Sequence, residues 1–301
     1  MNRLVFLFCL VIVFSSLRAQ KLYDDMTLSE KKLYDEHIIK GQPDPEMGPV
    51  FVRQGYILRY NEQYRIPDWV AYHIIPDYLK TPKREKKYAK FRTDPDMSNP
   101  VLNKDYTGTG YARGHMAPYF AMGGDRDRDG VYSDLFDDSA DPYDDLTVFQ
   151  ANYMSNIAPQ DQNALNGAGG PWYALETTIR KKLVGKNHME LHVIVGGIID
   201  DPDDYETMKG KYGDVGIAIP GQFFQVLIYK NEEGNYITAG FLFPHVKEPS
   251  DLPSEDLIDY LVPVDDIEKA TGFDFLNQLS KTKQRQTESI DNKKFWMSMG
   301  F

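Results

Sequence analysis

The order of strand-like and helix-like segments constrains the fold of this chain most. Apolar runs of strand length occur at residues 69–75, 189–199, 222–230 and 236–243, and apolar residues recur at helical spacing over 171–183. These segments do not alternate regularly, so they do not favour a parallel sheet built from repeated strand-helix-strand units. We therefore expect an α+β fold with a central, mainly antiparallel sheet and flanking helices.

Residues 1–19 have the pattern of a secretory signal peptide. Arg3 gives a basic start, residues 4–14 form an apolar run too short to span a bilayer, and Ala19 offers a small residue for cleavage. We expect the mature chain to be secreted or periplasmic, with no membrane segment after cleavage. An N-terminal membrane anchor is the alternative. The single cysteine, Cys9, lies in this segment, so the mature protein would have no disulfide.

The rest of the chain divides into three parts. Residues 20–50 form an N-terminal leader with a short helix that Ser29 can cap. Residues 51–278 form the main domain, which contains an acidic insert at 124–146. Residues 279–301 form a polar C-terminal tail that we expect to be mobile, apart from an aromatic segment near its end that would re-anchor the tail or dock elsewhere.

The net charge of −11 argues against nucleic-acid binding, but its distribution is uneven. Cleavage after residue 19 removes two arginines and leaves 32 basic against 45 acidic residues, a net charge of −13. Residues 125–145 alone hold nine aspartates against two arginines. Residues 80–92 hold seven basic residues against one acid, and this run, which includes Lys90 and Arg92, is the candidate for phosphate contacts.

The acidic insert begins like a calcium-binding loop. Asp125, Asp127 and Asp129 take positions one, three and five, and Gly130 takes position six. Position twelve is Phe136 where such a loop has glutamate. Two interpretations therefore remain open: a partial Ca²⁺ loop and a solvated acidic insert.

The residues that carry chemistry are Arg113-Gly114-His115, followed by the segment 155–160 and by Asn166. Hydrolysis of a phosphodiester needs an activated water, positive charge on the transition-state oxygens, and help for the leaving alkoxide. The imidazole of His115 is a suitable general base at physiological pH. The guanidinium of Arg113 can pair with a phosphate oxygen.

A divalent metal ion completes this set of groups. The carbonyl oxygen of Asn166 is a hard ligand suited to Mg²⁺, which keeps most of its waters, and Mn²⁺ would serve as well. Glu176 shares a helix face with Trp172 and is placed to orient a bound water. Asn156 is placed to hold the backbone near the histidine.

At these residues the chain resembles the DNA/RNA non-specific endonucleases with the ββα-metal fold. Members of that family read Asp-Arg-Gly-His, then Ser-Asn-(Ile/Val)-x-Pro-Gln, then Leu-Asn, then a helix with tryptophan and glutamate. The corresponding segments here are 112–115, 155–160, 165–166 and 172–176, and the similarity extends over about residues 50–275.

The resemblance implies both a mechanism and a substrate class. His115 would be the general base and Asn166 the direct metal ligand, with Arg113, Asn156 and Glu176 in support. DNA and RNA would be the substrates, cut to leave 5′-phosphate ends.

The chain departs from the family pattern in three places. Ala112 replaces the usual acid before the arginine, and the segment 167–171 is longer than expected by about two residues. An upstream phosphate-binding arginine is expected near Ala89, where Lys90 or Arg92 would substitute.

Two functions of different classes follow. The first is a secreted, metal-dependent endonuclease that cuts DNA and RNA with little sequence preference. The alternative is an exported calcium-binding or surface-interaction protein on an inactive nuclease scaffold. The intact His115, Asn166 and Arg113 favour the first, whereas the negative charge and Ala112 favour the second. The sequence does not indicate an oligomeric state.

Overall fold

A computed structural model describes residues 20–44, 46–131, 142–211 and 213–301. The expected secretory signal and much of the acidic insert therefore lie outside the described residues, as does Phe136 at position twelve of the calcium-like loop.

Strands and helices are numbered along the chain. The strands are β1 (Phe51–Val52), β2 (Ile57–Asn61), β3 (Ile66–Ile74), β4 (Ala112–His115), β5 (Ile157–Gln160), β6 (Leu191–Ile198), β7 (Thr207–Gly210), β8 (Gly213–Ala218), β9 (Gln222–Lys230), β10 (Tyr236–Pro244) and β11 (Leu261–Val262). The helices are α1 (Leu28–His37), α2 (Pro142–Ala151), α3 (Pro171–Thr178), α4 (Val264–Thr271), α5 (Lys281–Glu288) and α6 (Lys293–Met299). In the described part of the chain, no helix has the length and apolar content needed to cross a membrane.

A large antiparallel sheet forms the centre of the molecule. Within the described residues it contains seven strands in the order β1-β2-β3-β6-β9-β10-β11, and each neighbouring pair is antiparallel. β4 pairs with β5, and β7 with β8, outside this sheet. The predicted α+β class with a mainly antiparallel sheet is confirmed, and the four apolar runs correspond to β3, β6, β9 and β10.

The sheet is buried on both faces, which explains why its strands are nearly continuous apolar runs. In β3, Val70 and Tyr72 pack into one core, whereas Trp69 and Ala71 pack into a second core on the opposite face. The first core includes side chains of α3, and the second includes side chains of α1 and α4. The sheet therefore separates two helical layers, and α3 lies on the opposite side from α4.

The leader helix α1 begins two residues earlier than the sequence predicts. Its N-cap is Thr27, not Ser29. The Thr27 hydroxyl accepts the Glu30 backbone N–H at 3.3 Å, and the Glu30 carboxylate accepts the Thr27 backbone N–H at 2.8 Å. This reciprocal capping box satisfies two otherwise unpaired backbone donors, which Ser29 cannot do from inside the helix.

The C-terminal tail is ordered, and the expectation that it is mobile is wrong. It forms α5 and α6, and the Trp296 side chain is completely buried. The indole N–H of Trp296 donates to the Thr238 carbonyl at 2.8 Å, and the Thr238 hydroxyl donates to the Thr287 carbonyl at 2.7 Å. β10 therefore anchors both tail helices, and of the two alternatives left open for the terminal aromatic segment, the structure shows the one in which it packs on the core.

Replacing Trp296 by alanine should lower the free energy of unfolding by about 3–5 kcal/mol, because it empties a fully buried aromatic site. The matched control is Met297→Ala, since Met297 is 52% exposed, and it should change stability by less than about 0.5 kcal/mol. Urea unfolding of both variants measures the difference. Equal stabilities would show that the tail contributes no packing to the core.

Candidate active site

The short ladder between β4 and β5 brings together the two motifs at residues 112–115 and 155–160. His115 pairs with Ile157, and Arg113 pairs with Pro159. After β5 the chain makes one wide turn, in which the Asn166 backbone N–H donates to the Asp161 carbonyl at 2.9 Å, and then enters α3. β4, β5 and α3 thus form a ββα unit.

A cavity of about 470 Å³ opens beside this unit. His115, Arg113, Asn166 and Glu176 all line it, so the structure brings these predicted residues to one site. The other lining residues are Tyr72, Ile74, Arg84, Phe91, Ala112, Pro118, Tyr119, Phe120, Ala121, Gln162, Tyr173, Thr177, Ile179 and Arg180.

The orientation of the His115 ring depends on Asn152, a residue that the motif does not include. The Nε2 atom of His115 lies 3.1 Å from the Oδ1 atom of Asn152. The amide nitrogen of Asn152 donates to the Tyr88 carbonyl at 3.0 Å, which turns Oδ1 towards the imidazole. Nε2 therefore carries the proton and donates it, and Nδ1 is left as the unprotonated nitrogen that can act as a base.

The environment of His115 keeps its imidazole neutral. Burial and, to a smaller extent, the nearby positive charge of Arg84 together lower the pKa of His115 to about 3, against the opposing effect of the hydrogen bond with Asn152. The imidazole is therefore unprotonated throughout the physiological pH range and is available to accept a proton.

Asn156, predicted as a catalytic residue, does not line the cavity. It is completely buried, and its carboxamide donates to the carbonyls of Ala117 and Ala151, both at 2.9 Å. Its Oδ1 atom accepts the Ala117 backbone N–H at 2.9 Å. Asn156 therefore positions the backbone that follows His115, as its support role predicts, and has no direct access to a substrate.

Gly114 is required by close packing between the paired strands. A Cβ atom at this position would overlap the side chain of Gln160, which is completely buried one strand away. The glycine thus allows β4 to lie against β5. This pairing places His115 next to the strand that leads into the turn with Asn166.

The side chain of Asn166 is available as a metal ligand. It is half-buried on the cavity wall, and its carboxamide makes no hydrogen bond to any described residue. The turn that carries it is held by Asp161, whose carboxylate accepts the backbone N–H groups of Asn163 and Ala164, both at 2.7 Å. A fixed carbonyl oxygen beside an open polar cavity fits a hydrated Mg²⁺ or Mn²⁺ ion.

Two orphaned polar atoms further indicate that the cavity accepts a polar ligand. The Nε atom of Arg113 and the Oγ1 atom of Thr177 are buried without a hydrogen-bond partner among the described residues. Both side chains line the cavity. Buried polar groups are normally paired, so these two atoms are suited to a partner that arrives with the substrate or the metal.

Glu176 also faces the cavity, although the preceding segment is longer than in the family pattern. The extra residues form a glycine-rich loop, in which Gly169 adopts a φ of +109° that favours glycine. Burial raises the pKa of Glu176 to about 7, and this shift is opposed by the Trp172 indole N–H, which donates at 3.0 Å, and by Arg180.

Among the described residues, three arginines line the cavity. The sequence analysis named one of them, Arg113, as a phosphate ligand. Arg113 donates to the Asn103 carbonyl at 2.7 Å, and Arg84 and Arg180 join it on the cavity wall. Glu176 is the acidic residue among the described lining residues. The cavity is thus basic, although the chain as a whole is acidic.

Lys90 and Arg92, predicted to bind substrate, do not line the cavity. The Arg92 guanidinium donates to the Lys90 carbonyl at 2.6 Å and lies 4.2 Å from the centre of the Phe149 ring. Arg92 is thus used to hold its own segment, and Arg84 reaches the site instead. Arg84 belongs to the basic run 80–92, and that run was the only available signal for it.

Two of the three aspartates of the calcium-like loop lie close together in the structure. The carboxylates of Asp125 and Asp127 lie within 4.8 Å of each other and of Asp144, whereas Asp129 does not join this group. Asp125 instead accepts the backbone N–H groups of Asp129 at 3.0 Å and of Gly130 at 2.8 Å. Calcium binding by Asp125, Asp127 and Asp129 remains a prediction.

Comparison with known proteins agrees with this geometry. The model of the family described as DNA/RNA non-specific endonuclease matches residues 34–282. Nuclease C1 of Cunninghamella echinulata is 27% identical over 75% of this chain and 82% of its own length. The nuclease of Serratia marcescens is 29% identical over 73% of this chain and 72% of its own length.

A solved structure shares the fold. The crystal structure of the EndoG/EndoGI complex contains a chain that superposes with a TM-score of 0.59 and 21% identity, over 81% of this chain and 91% of that one. Together these matches define the protein as a nuclease, a hydrolase of phosphodiester bonds in nucleic acids. Within that class, the chain belongs to the DNA/RNA non-specific endonuclease family.

Replacing Asn152 by alanine should lower kcat by about tenfold or more with little change in KM. The imidazole would lose the partner that fixes its tautomer, and a positioned general base contributes about 10²–10⁴-fold to a rate. Steady-state cleavage of a plasmid measures the effect, with Asn187→Ala, at an exposed position, as the control. A folded N152A variant with unchanged kcat would contradict the assigned role of Asn152.

Proposed function

We propose that this protein is a metal-dependent endonuclease that cuts DNA and RNA with little sequence preference and leaves 5′-phosphate ends. The observation that carries the proposal is that His115 and Asn166 line one cavity together with three arginines. Membership of the non-specific endonuclease family supports it. The alternative of an inactive scaffold is disfavoured because the base and the metal-ligand candidate both face the same open space.

Low sequence preference is consistent with the groups that line the cavity. The guanidinium groups of Arg84, Arg113 and Arg180 recognise phosphate oxygens, which are the same in every nucleotide. Binding that relies on the phosphate backbone does not distinguish one base from another. The same contacts suit DNA and RNA, and they allow a chain of net charge −11 to bind a polyanion locally.

In the proposed reaction, His115 Nδ1 accepts a proton from the water that attacks phosphorus. Asn152 holds the ring in the required tautomer, and burial keeps the imidazole neutral before each turnover. Arg113 and Arg84 neutralise the charge that develops on the non-bridging oxygens. Asn166 would hold Mg²⁺ or Mn²⁺ through its carbonyl oxygen, and such an ion would supply positive charge that stabilises the transition state.

Glu176 has a positioning role in this scheme. Its carboxylate is fixed by the Trp172 indole and faces the cavity one turn before Arg180. It can therefore accept a hydrogen bond from a water held near Asn166. Tyr173 and Phe120, which are 40% and 41% exposed at the cavity, offer aromatic surfaces beside the phosphate-binding groups.

Export of the mature enzyme is part of the proposal. It is supported by the basic start, the short apolar run and Ala19 in the segment 1–19. Cell fractionation with N-terminal sequencing tests it. A chain that keeps residues 1–19 in the cytoplasm would contradict export without affecting the catalytic proposal.

Replacing His115 by alanine should lower the cleavage rate of both plasmid DNA and RNA by about 10²–10⁴-fold, because the general base is removed. The matched control is His188→Ala, since His188 is an exposed histidine outside the cavity, and its activity should equal that of the wild type. Near-wild-type activity in a folded H115A variant would reject His115 as the base.

Replacing Asn166 by alanine should raise the Mg²⁺ concentration needed for half-maximal activity and lower the maximal rate. The variant removes the protein oxygen that is placed to bind the ion directly, whereas wild-type activity should disappear on chelation and return with Mg²⁺. Rates measured over a Mg²⁺ titration provide the comparison, with Asn163→Ala in the same turn as control. An unchanged Mg²⁺ dependence in N166A would exclude Asn166 as the ligand.

A further inference from the structure

A second group of carboxylates lies far from the catalytic chemistry, between α4 and α5. Asp265, Glu268 and Glu288 each offer one carboxylate oxygen, and these three atoms lie within 4.8 Å of one another. α4 packs on the face of the central sheet opposite α3, and α3 carries Glu176 of the cavity. The nuclease mechanism does not use this group.

Glu288 is the unusual member of the cluster. Its side chain is only 2% exposed, and its Oε1 atom has no hydrogen-bond partner among the described residues. It is also the last residue of α5, where the partial negative charge of the helix C-terminus disfavours an acid. Burying this carboxylate oxygen without a partner is unfavourable for the charged form, and a cation bound at this place would compensate it.

The neighbouring side chains do not provide that compensation. Lys281 donates to Asp274 at 2.9 Å, and its side chain is 69% exposed. Asp274 also accepts the Gln284 amide at 2.6 Å, so it adds negative charge beside the cluster. Glu268 accepts the Phe275 backbone N–H at 2.7 Å, which satisfies one of its oxygens.

We propose that Asp265, Glu268 and Glu288 bind a structural Ca²⁺ ion that joins α4 to α5. All the donors are carboxylate oxygens, which Ca²⁺ prefers, and Asp265 and Glu268 are partly exposed, so water can supply further ligands of a coordination shell of about six to eight oxygens. The nitrogen and sulfur donors that favour zinc do not occur in this cluster.

The ion would act as a clamp on the C-terminal segment. Asp265 and Glu268 lie on a helix whose Val264 and Ile267 side chains pack in the core, whereas Glu288 lies at the end of the first tail helix. A cation shared by the two helices neutralises the buried carboxylate and holds the tail against β10. The ion binds the folded chain in preference to the unfolded chain, so it raises stability.

The experiment uses the full mature chain after removal of divalent ions with a chelator. Asp125→Asn and Asp127→Asn are introduced together first, so that the acidic loop cannot account for Ca²⁺ binding. In this background, calorimetric titration with CaCl₂ and the melting temperature with and without Ca²⁺ are measured. We expect Ca²⁺ to bind and to raise the melting temperature by several degrees.

Glu288→Gln is then added, because it removes the charge and keeps the shape. We expect one fewer bound Ca²⁺ and loss of the associated rise in melting temperature, together with a metal-free stability equal to or above that of the parent. Asp265→Asn, at a half-buried position, provides a second test if E288Q does not fold, and should also weaken binding. Nuclease activity at saturating Mg²⁺ should be unchanged in both.

Asp266→Asn is the matched control, since Asp266 lies on the same helix but pairs with Lys269 at 2.6 Å outside the cluster. It should keep the full response to Ca²⁺. The proposal is overturned if the loop-silenced chain shows no rise in melting temperature with Ca²⁺, or if E288Q and D265N both keep the parental stoichiometry and response.

Discussion

The catalytic geometry depends on one buried carboxamide. The side chain of Asn156 accepts the backbone N–H of Ala117 and donates to the Ala117 carbonyl. It also donates to the carbonyl of Ala151. These bonds fix the chain just after His115 and at the end of α2. Because Asn156 directly precedes β5, and β5 leads into the turn that carries Asn166, the same side chain fixes the base and the metal-ligand candidate relative to each other.

The candidate active site is locally basic, although the chain as a whole is acidic. Arg84, Arg113 and Arg180 line the cavity, whereas much of the negative charge lies in the acidic insert. At ordinary ionic strength salt screens exposed charges over about 10 Å, so the arginines that contact a bound phosphate contribute most to its binding. Net charge affects solubility and encounter more than it affects the contacts inside the cavity.

The sequence predicted the fold class and the meeting of His115 with Asn166 because both rest on local patterns. Strand-length apolar runs determine β9 and β10, and the ordered motifs determine the ββα unit. The site residues that the sequence did not predict are placed by tertiary packing. Asn152 belongs to no motif, and Arg84 reaches the cavity while Arg92 is held elsewhere. The tail is largely polar in sequence, and this composition led to the prediction of a mobile segment. In the structure the buried indole of Trp296 anchors the tail to the core.

The hydrogen bond between His115 and Asn152 joins the base to an amide, where many catalytic histidines have a carboxylate. An amide carries no charge and does not titrate, so it orients the ring and stabilises a protonated imidazole only through one hydrogen bond, without the charge that a carboxylate would add. Burial and the positive charge of Arg84 both lower the pKa of His115 and so favour the neutral ring. In the proposed mechanism, Asn152 would therefore decide which ring nitrogen accepts the proton, whereas burial and Arg84 would set how strongly the ring holds it.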